Sequence, residues 1–261
     1  MNKTDLHIIC KNCGTRFKGK YCTNCGQPAR VGRLNFRSVW HDIQHGLLHI
    51  DNGIFFTIKE LFTRPGHSIR EYIEGKRVKH FKPVSLVIIL ATLYALINHF
   101  LHQSVLAETS NSMALNVPGL DFSINGAKFD LKIIREFIED HFAVLQLLLL
   151  PFYAAASRLA FLKFGYNYTE HLVIIAYLRG QSIVLAIFFL LLVYIGLIPK
   201  HTSGSIAPLA ELACLFWVFL QLFNTQRKAR VVKRTFLVLF YFILVQLIIV
   251  LLLIAALQLS R

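Results

Sequence analysis

The sequence predicts an all-α integral membrane protein, with about five transmembrane helices preceded by a small cysteine-rich ribbon and amphipathic interfacial helices. Three observations predict it. The 261 residues are 55% apolar, where a soluble domain holds about 45–50%, and the mean hydropathy is +0.54. The apolar excess gathers into long runs of Leu, Ile, Val and Phe after Pro83. Four of the five cysteines form two Cys-x-x-Cys pairs within the first 25 residues, while Cys214 lies alone in a later apolar run.

Residues 1–33 carry the pattern Cys10-x2-Cys13-x8-Cys22-x2-Cys25 and few apolar side chains. Each pair can form a knuckle that presents two thiolates to one ion. Two knuckles complete the tetrahedral four-sulfur shell that zinc prefers. Gly14 and Gly26 each follow a second cysteine, where a tight turn needs a permissive backbone. The rival reading, a redox dithiol, needs one such pair at a helix start rather than two in a loop-rich segment. With all four positions filled by protein, one structural zinc is expected, and the ribbon should unfold without it. Nothing suggests a disulfide framework. Reduced thiolates fit a cytosolic N-terminus. The first long apolar run starts near Val84, too late for a signal peptide.

Residues 34–82 read as helices lying at the membrane surface. Over 36–50, Phe36, Val39, Trp40, Ile43, Leu47 and Ile50 recur at helical spacing, as an amphipathic helix requires. His41, His45 and His49 fall on its opposite face. They can hold a second metal or respond to pH near neutrality, or simply form a solvated face. Asp51-Asn52-Gly53 breaks this helix, and 54–62 forms a shorter one. Ser68-x-x-Glu71 reads as a capping box, with Gly75 as the stop. The cations Arg64, Arg70, Lys76, Arg77, Lys79 and Lys82 can contact anionic lipid headgroups; the plainer reading is a positively charged anchor.

A span needs about 20 mostly apolar residues. Five stretches qualify, near 83–101, 142–162, 172–198, 206–224 and 235–259, within a transmembrane domain of 83–261. Lys and Arg distribution sets orientation. Placing the N-terminus inside leaves 1–82, 163–171 and 225–234 inside, the last with Arg227, Lys228, Arg230, Lys233 and Arg234. The outer loop 102–141 then holds six acidic and three basic residues. A short amphipathic helix is expected over 129–142.

Cys-Lys-Asn-Cys-Gly at 10–14, Phe17, Gly19, Tyr21-Cys22 and Cys25-Gly26-Gln27 form one set of matching residues. Leu61-Phe62-Thr63-Arg64-Pro65-Gly66, Arg70-Glu71-Tyr72-Ile73, Gly75-Lys76-Arg77, Pro83 and Tyr168-Thr169-Glu170-His171 complete it. Together they resemble an uncharacterised family of Bacteroidota membrane proteins, domain of unknown function 3667. The resemblance implies a zinc ribbon, a multi-span body and a Gram-negative inner membrane. It implies no activity.

The net charge of +14 is uneven, +9 over residues 1–82 and +5 over the rest. A basic segment beside a membrane meets anionic headgroups most simply. Nucleic acid ranks lower, because no stacking aromatics interleave with a Lys/Arg stripe. Ionisable residues within spans carry a functional hypothesis by default. Arg158, Glu170, His171 and Arg179 fall at similar inner depth by helical rise, so an intramembrane polar cluster is expected; Arg158 can instead reach the inner headgroups. No catalytic triad, phosphate-cradling glycine loop or carboxylate pair stands out, so no nucleophile is named. The leading expectation is a non-enzymatic binding, scaffold or regulatory protein with a cytoplasmic protein partner. The alternative is a small transporter or lipid-handling protein using the Arg/Glu/His cluster, and an enzyme acting on lipid is third.

Overall fold

The computed structural model describes residues 8–36, 39, 53–108, 122–124, 127–129, 137 and 141–259. The expected helix over 36–50 falls outside them except for Phe36 and Val39, and His41, His45 and His49 lie outside them altogether.

The ribbon opens with β1 (Ile8–Ile9) and β2 (Arg16–Phe17), paired antiparallel with Ile8 opposite Phe17. A single bridge, Tyr21 to Pro28, mirrors them in the second half. Among the described residues, Cys10, Phe17 and Cys22 form its buried apolar cluster. So little apolar surface cannot offset the entropy of ordering this segment.

Two short helices follow, α1 (Gly53–Thr63) and α2 (Pro65–Glu74). Pro65 occupies the first turn of α2, where its missing N–H costs nothing. Gly75 stops the helix in the left-handed region, at φ 118°, with its amide donating to the Glu71 and Tyr72 carbonyls. The expected capping box does not form. The helix starts four residues earlier, so Ser68 lies inside it and turns its hydroxyl to His80 Nδ1 at 3.3 Å. Proline at the first helical position outcompetes the serine cap.

The body consists of α3 (Pro83–Glu108), α4 (Phe142–Ala160), α5 (Tyr168–Tyr194), α6 (Lys200–Leu222) and α7 (Lys228–Leu259). A 3-10 turn (Leu162–Phe164) links α4 to α5, and a small hairpin, β3 (Phe122–Ile124) with β4 (Ala127–Phe129), lies between α3 and α4. All five helices are long and apolar enough to cross a bilayer. The chain is therefore an all-α multi-pass membrane protein. Three starts differ from expectation. The third helix begins at Tyr168 rather than 172, because Asn167 and Glu170 form a true capping box. The fourth begins at Lys200, so the expected loop before residue 206 is mostly helical. The fifth begins at Lys228, since Lys, Ala and Arg are good helix formers despite their charge. Of the helix expected over 129–142, only Phe137 and Phe142 are described as helical, and Phe129 ends β4.

The helix α5 is largely apolar and central, packed by α3, α4 and α6. Its Gly180 lets Leu86 of α3 approach: a Cβ there would lie 3.1 Å from Leu86 Cδ2. The ends of the body helices meet the N-terminal region on one side. Tyr177 donates to the Phe81 carbonyl just before α3, Arg234 of α7 to the last carbonyl of α4 at Ala160, and Arg70 of α2 to carbonyls at the end of α6. Successive spans thus alternate in direction.

Candidate functional site

The four cysteine sulfurs lie within 4.8 Å of one another. Cys10 and Cys25 are 3.5 Å apart, as are Cys13 and Cys22. A tetrahedral thiolate shell at about 2.3 Å from its ion needs sulfurs about 3.8 Å apart, so one ion fits this set. The two halves repeat one hydrogen-bond pattern. Gly14 N donates to Cys10 O at 2.9 Å, and Gly26 N donates to Cys22 O at 2.9 Å. Cys10 N reaches Thr15 O, and Cys22 N reaches Gln27 O. Gly14 and Gly26 take φ of 75° and 72°, a region that penalises a side chain. The Thr15 hydroxyl, 3.3 Å from Cys13 Sγ, and then the Thr15 backbone draw that thiol down to about 6, while burial pushes the Cys25 thiol up to about 11.

The ribbon is fastened to the body. Arg33 forks onto Glu170, with Nε 2.7 Å from Oε1 and Nη2 2.8 Å from Oε2, and Nη2 also reaches Gly165 O at 2.6 Å. The Glu170 side chain is 4% exposed and also accepts from Asn167 N at 2.7 Å. Asn167 Nδ2 in turn holds the Leu34 carbonyl at 3.0 Å, and Leu34 is buried. The chain leaving the ribbon is therefore bound to the first turn of a central helix. Arg77 adds a second tie: its Nη2 donates to Gly32 O and its backbone N–H to the buried Gln27 side chain.

The segment between ribbon and first span is an assembly of such ties. Gly66 lies directly against α6, where a Cβ would stand 2.4 Å from Leu222 N and 2.5 Å from Val218 O. Its N–H donates to Gln221 Oε1 at 3.1 Å. Arg70 binds the carbonyls of Gln221 and Leu222, placing a cation at the negative end of α6. Glu71 is clasped by Lys76 at 3.0 Å and Arg64 at 3.3 Å. Tyr72 packs edge-on against Tyr177 and carries the Arg77 guanidinium over its ring.

Residues 51–95 match the family model "Protein of unknown function (DUF3667)". The match covers α1, α2 and the first half of α3, the stretch that includes the Arg77 contacts to the ribbon and the Gly66 and Arg70 contacts to α6. No curated protein and no solved structure matches the chain significantly.

The residues expected to act together distribute as follows. Among the six juxtamembrane cations, Arg64 and Lys76 bind Glu71, Arg70 caps α6, and Arg77 binds Tyr72 O and Gly32 O. Lys79 and Lys82 make no side-chain hydrogen bond or ion pair among the described residues. Of the intramembrane four, Glu170 binds Arg33, and His171 Nδ1 faces Ser157 Oγ at 2.9 Å. Arg179 stacks over the Tyr153 ring at 4.3 Å, and Arg158 is exposed. Arg158 and Glu170 both lie close enough to act electrostatically on His171, while Arg179 turns to the Tyr153 ring. Sequence reasoning missed Arg33 and the tertiary contacts of Gly66 and Arg234, because the partners of all three stand far along the chain and leave no local signal.

Proposed function

We propose that this chain is a multi-pass protein of a bacterial inner membrane whose cytoplasmic ribbon holds one structural zinc and acts as a non-enzymatic scaffold for a cytoplasmic protein partner. Four thiolates at mutual distances suited to one small ion favour zinc, and a shell filled by protein leaves no open position for chemistry. Bound there, the ion supplies the cross-link that the ribbon's small core lacks. The observation that carries the reading is the Arg33 fork on Glu170. It makes the ribbon a fixed face of the membrane body, which is what a scaffold needs to present a partner in a defined orientation.

The full-length protein purified in detergent should contain one zinc per chain by elemental analysis. Cys22→Ser with Cys25→Ser should remove it and deplete the cytoplasmic proteins captured with the wild type. Zinc retained by that variant, or an unchanged set of captured proteins, contradicts the reading. Anionic-lipid contact is assigned to Lys79 and Lys82, the two of the six juxtamembrane cations without a partner among the described residues.

The rival reading, transport or lipid handling by Arg158, Glu170, His171 and Arg179, has one observation in its favour: His171 Nε2 is buried with no partner among the described residues. Glu170, however, is occupied by Arg33, and Arg158 faces outward.

A further inference from the structure

A cleft of about 450 Å3 opens where ribbon, α2 and the α4–α5 turn converge. That volume lies within the roughly 300–1,000 Å3 typical of small-ligand sites. Lys11 and Arg33 line it from the ribbon side, Glu74 from α2, and Ile73, Phe164 and Tyr166 give it an apolar and aromatic wall. The Arg33–Glu170 pair is internally neutral. The unmatched charges are therefore Lys11 and Glu74, neither of which forms an ion pair among the described residues.

Lys11 is held in place, and Glu74 is exposed beside it at the end of α2. The Lys11 stem runs across Gly75, where a Cβ would come within 3.0 Å of Lys11 Cδ. Its ammonium is anchored to Val31 O at 3.0 Å and keeps two N–H donors for a ligand. Glu74 is the last residue of α2. A carboxylate there faces the negative end of its own helix, an unfavourable place that a ligand cation would relieve. The cleft thus offers donors and an acceptor together with an apolar and aromatic lining.

We propose that this cleft binds a zwitterion carrying a phosphate and a primary ammonium, the chemistry of a phosphoethanolamine headgroup. The phosphate meets Lys11 and the outer N–H groups of Arg33. The ammonium meets Glu74, and the ethylene stem lies on Tyr166 and Phe164. The lipid is the favoured source. The adjoining turn exposes Leu162 and Lys163, an apolar and a basic side chain side by side, as at headgroup level. The proposal is independent of the scaffold reading.

Native mass spectrometry of the full-length protein tests it, with the protein released from micelles containing equal amounts of phosphatidylethanolamine, phosphatidylcholine and phosphatidylglycerol. The wild type should retain phosphatidylethanolamine about tenfold over phosphatidylcholine, whose quaternary ammonium donates no hydrogen bond. Glu74→Gln, an exposed change at the end of a helix, should erase that preference while zinc content and melting temperature hold. Lys79→Gln with Lys82→Gln should lower phosphatidylglycerol retention alone. Free phosphoethanolamine that displaces the lipid shows that the headgroup suffices; failure to displace it, with the Glu74 dependence intact, assigns the whole lipid. Equal retention of the two zwitterionic lipids by the wild type, or a preference that survives Glu74→Gln, overturns the proposal.

Discussion

His80 shows how one side chain can carry a measurable property. It is buried between Phe56 and Tyr72, with Ser68 Oγ at Nδ1. Burial, against the pull of Glu60 and Glu71 and with the push of Arg64 and Lys76, holds its pKa below the ordinary histidine value. The folded chain therefore keeps His80 neutral, while the unfolded chain protonates it near pH 6.5. Between the two pKa values the unfolded state binds more protons, so stability rises with pH through that window. The contribution is complete above about pH 6.5 and shrinks as pH falls below it. Thermal unfolding in detergent should therefore give a higher melting temperature at pH 7.5 than at 5.5, and His80→Phe should flatten the difference. A slope unchanged in that variant assigns the effect to other groups.

At the scale of elements, the junction of α2 with α6 decides how the N-terminal region attaches. Backbone meets backbone at Gly66, and a methyl group there would overlap α6 main-chain atoms that cannot move aside as a flexible side chain would. Gly66→Ala should cost about 3 kcal/mol by chemical or thermal unfolding, the upper end of overpacking penalties, even though alanine is the better helix former. The mirror control is Gly204→Ala in α6, where an added Cβ meets nothing within 4 Å; it should be neutral or slightly stabilising. Equal effects at both positions would show that the close approach does not exist.

For the whole molecule, the ribbon is coupled to the body through one salt-bridged fork and its neighbours. Arg33→Ala should leave zinc bound but loosen the ribbon, read as faster amide exchange over residues 8–35 and over the first turn of α5. Glu170 would then lose its charged partner in a buried position. Glu170→Gln should give the same pattern of exchange, because the neutral amide cannot hold the fork. Exchange confined to residues near Arg33 itself would argue against coupling.

Much of this architecture was legible in local pattern. Two Cys-x-x-Cys pairs, each followed by glycine, announce knuckles because the turn chemistry lies within five residues. Long apolar runs announce spans because a bilayer demands length and composition, whatever the neighbours. Ser68-x-x-Glu71 misled because Pro65 offered an earlier helix start, while the working box, Asn167 with Glu170, stood where charge suggested the membrane had not yet begun. The intended partnerships of Arg64, Arg70, Lys76 and Arg77 were hidden, since a basic run reads alike whether it faces lipid or caps a helix.

The amino-acid sequence by itself determined the class of the molecule: a four-sulfur knob, a basic connector and five greasy helices, each set by composition and spacing over a few residues to a few turns. Only the tertiary structure decided which charges are spent inside the molecule. Arg33 meets Glu170 across 137 positions of chain, and pairing at such separation depends on how helices pack, which no local period records.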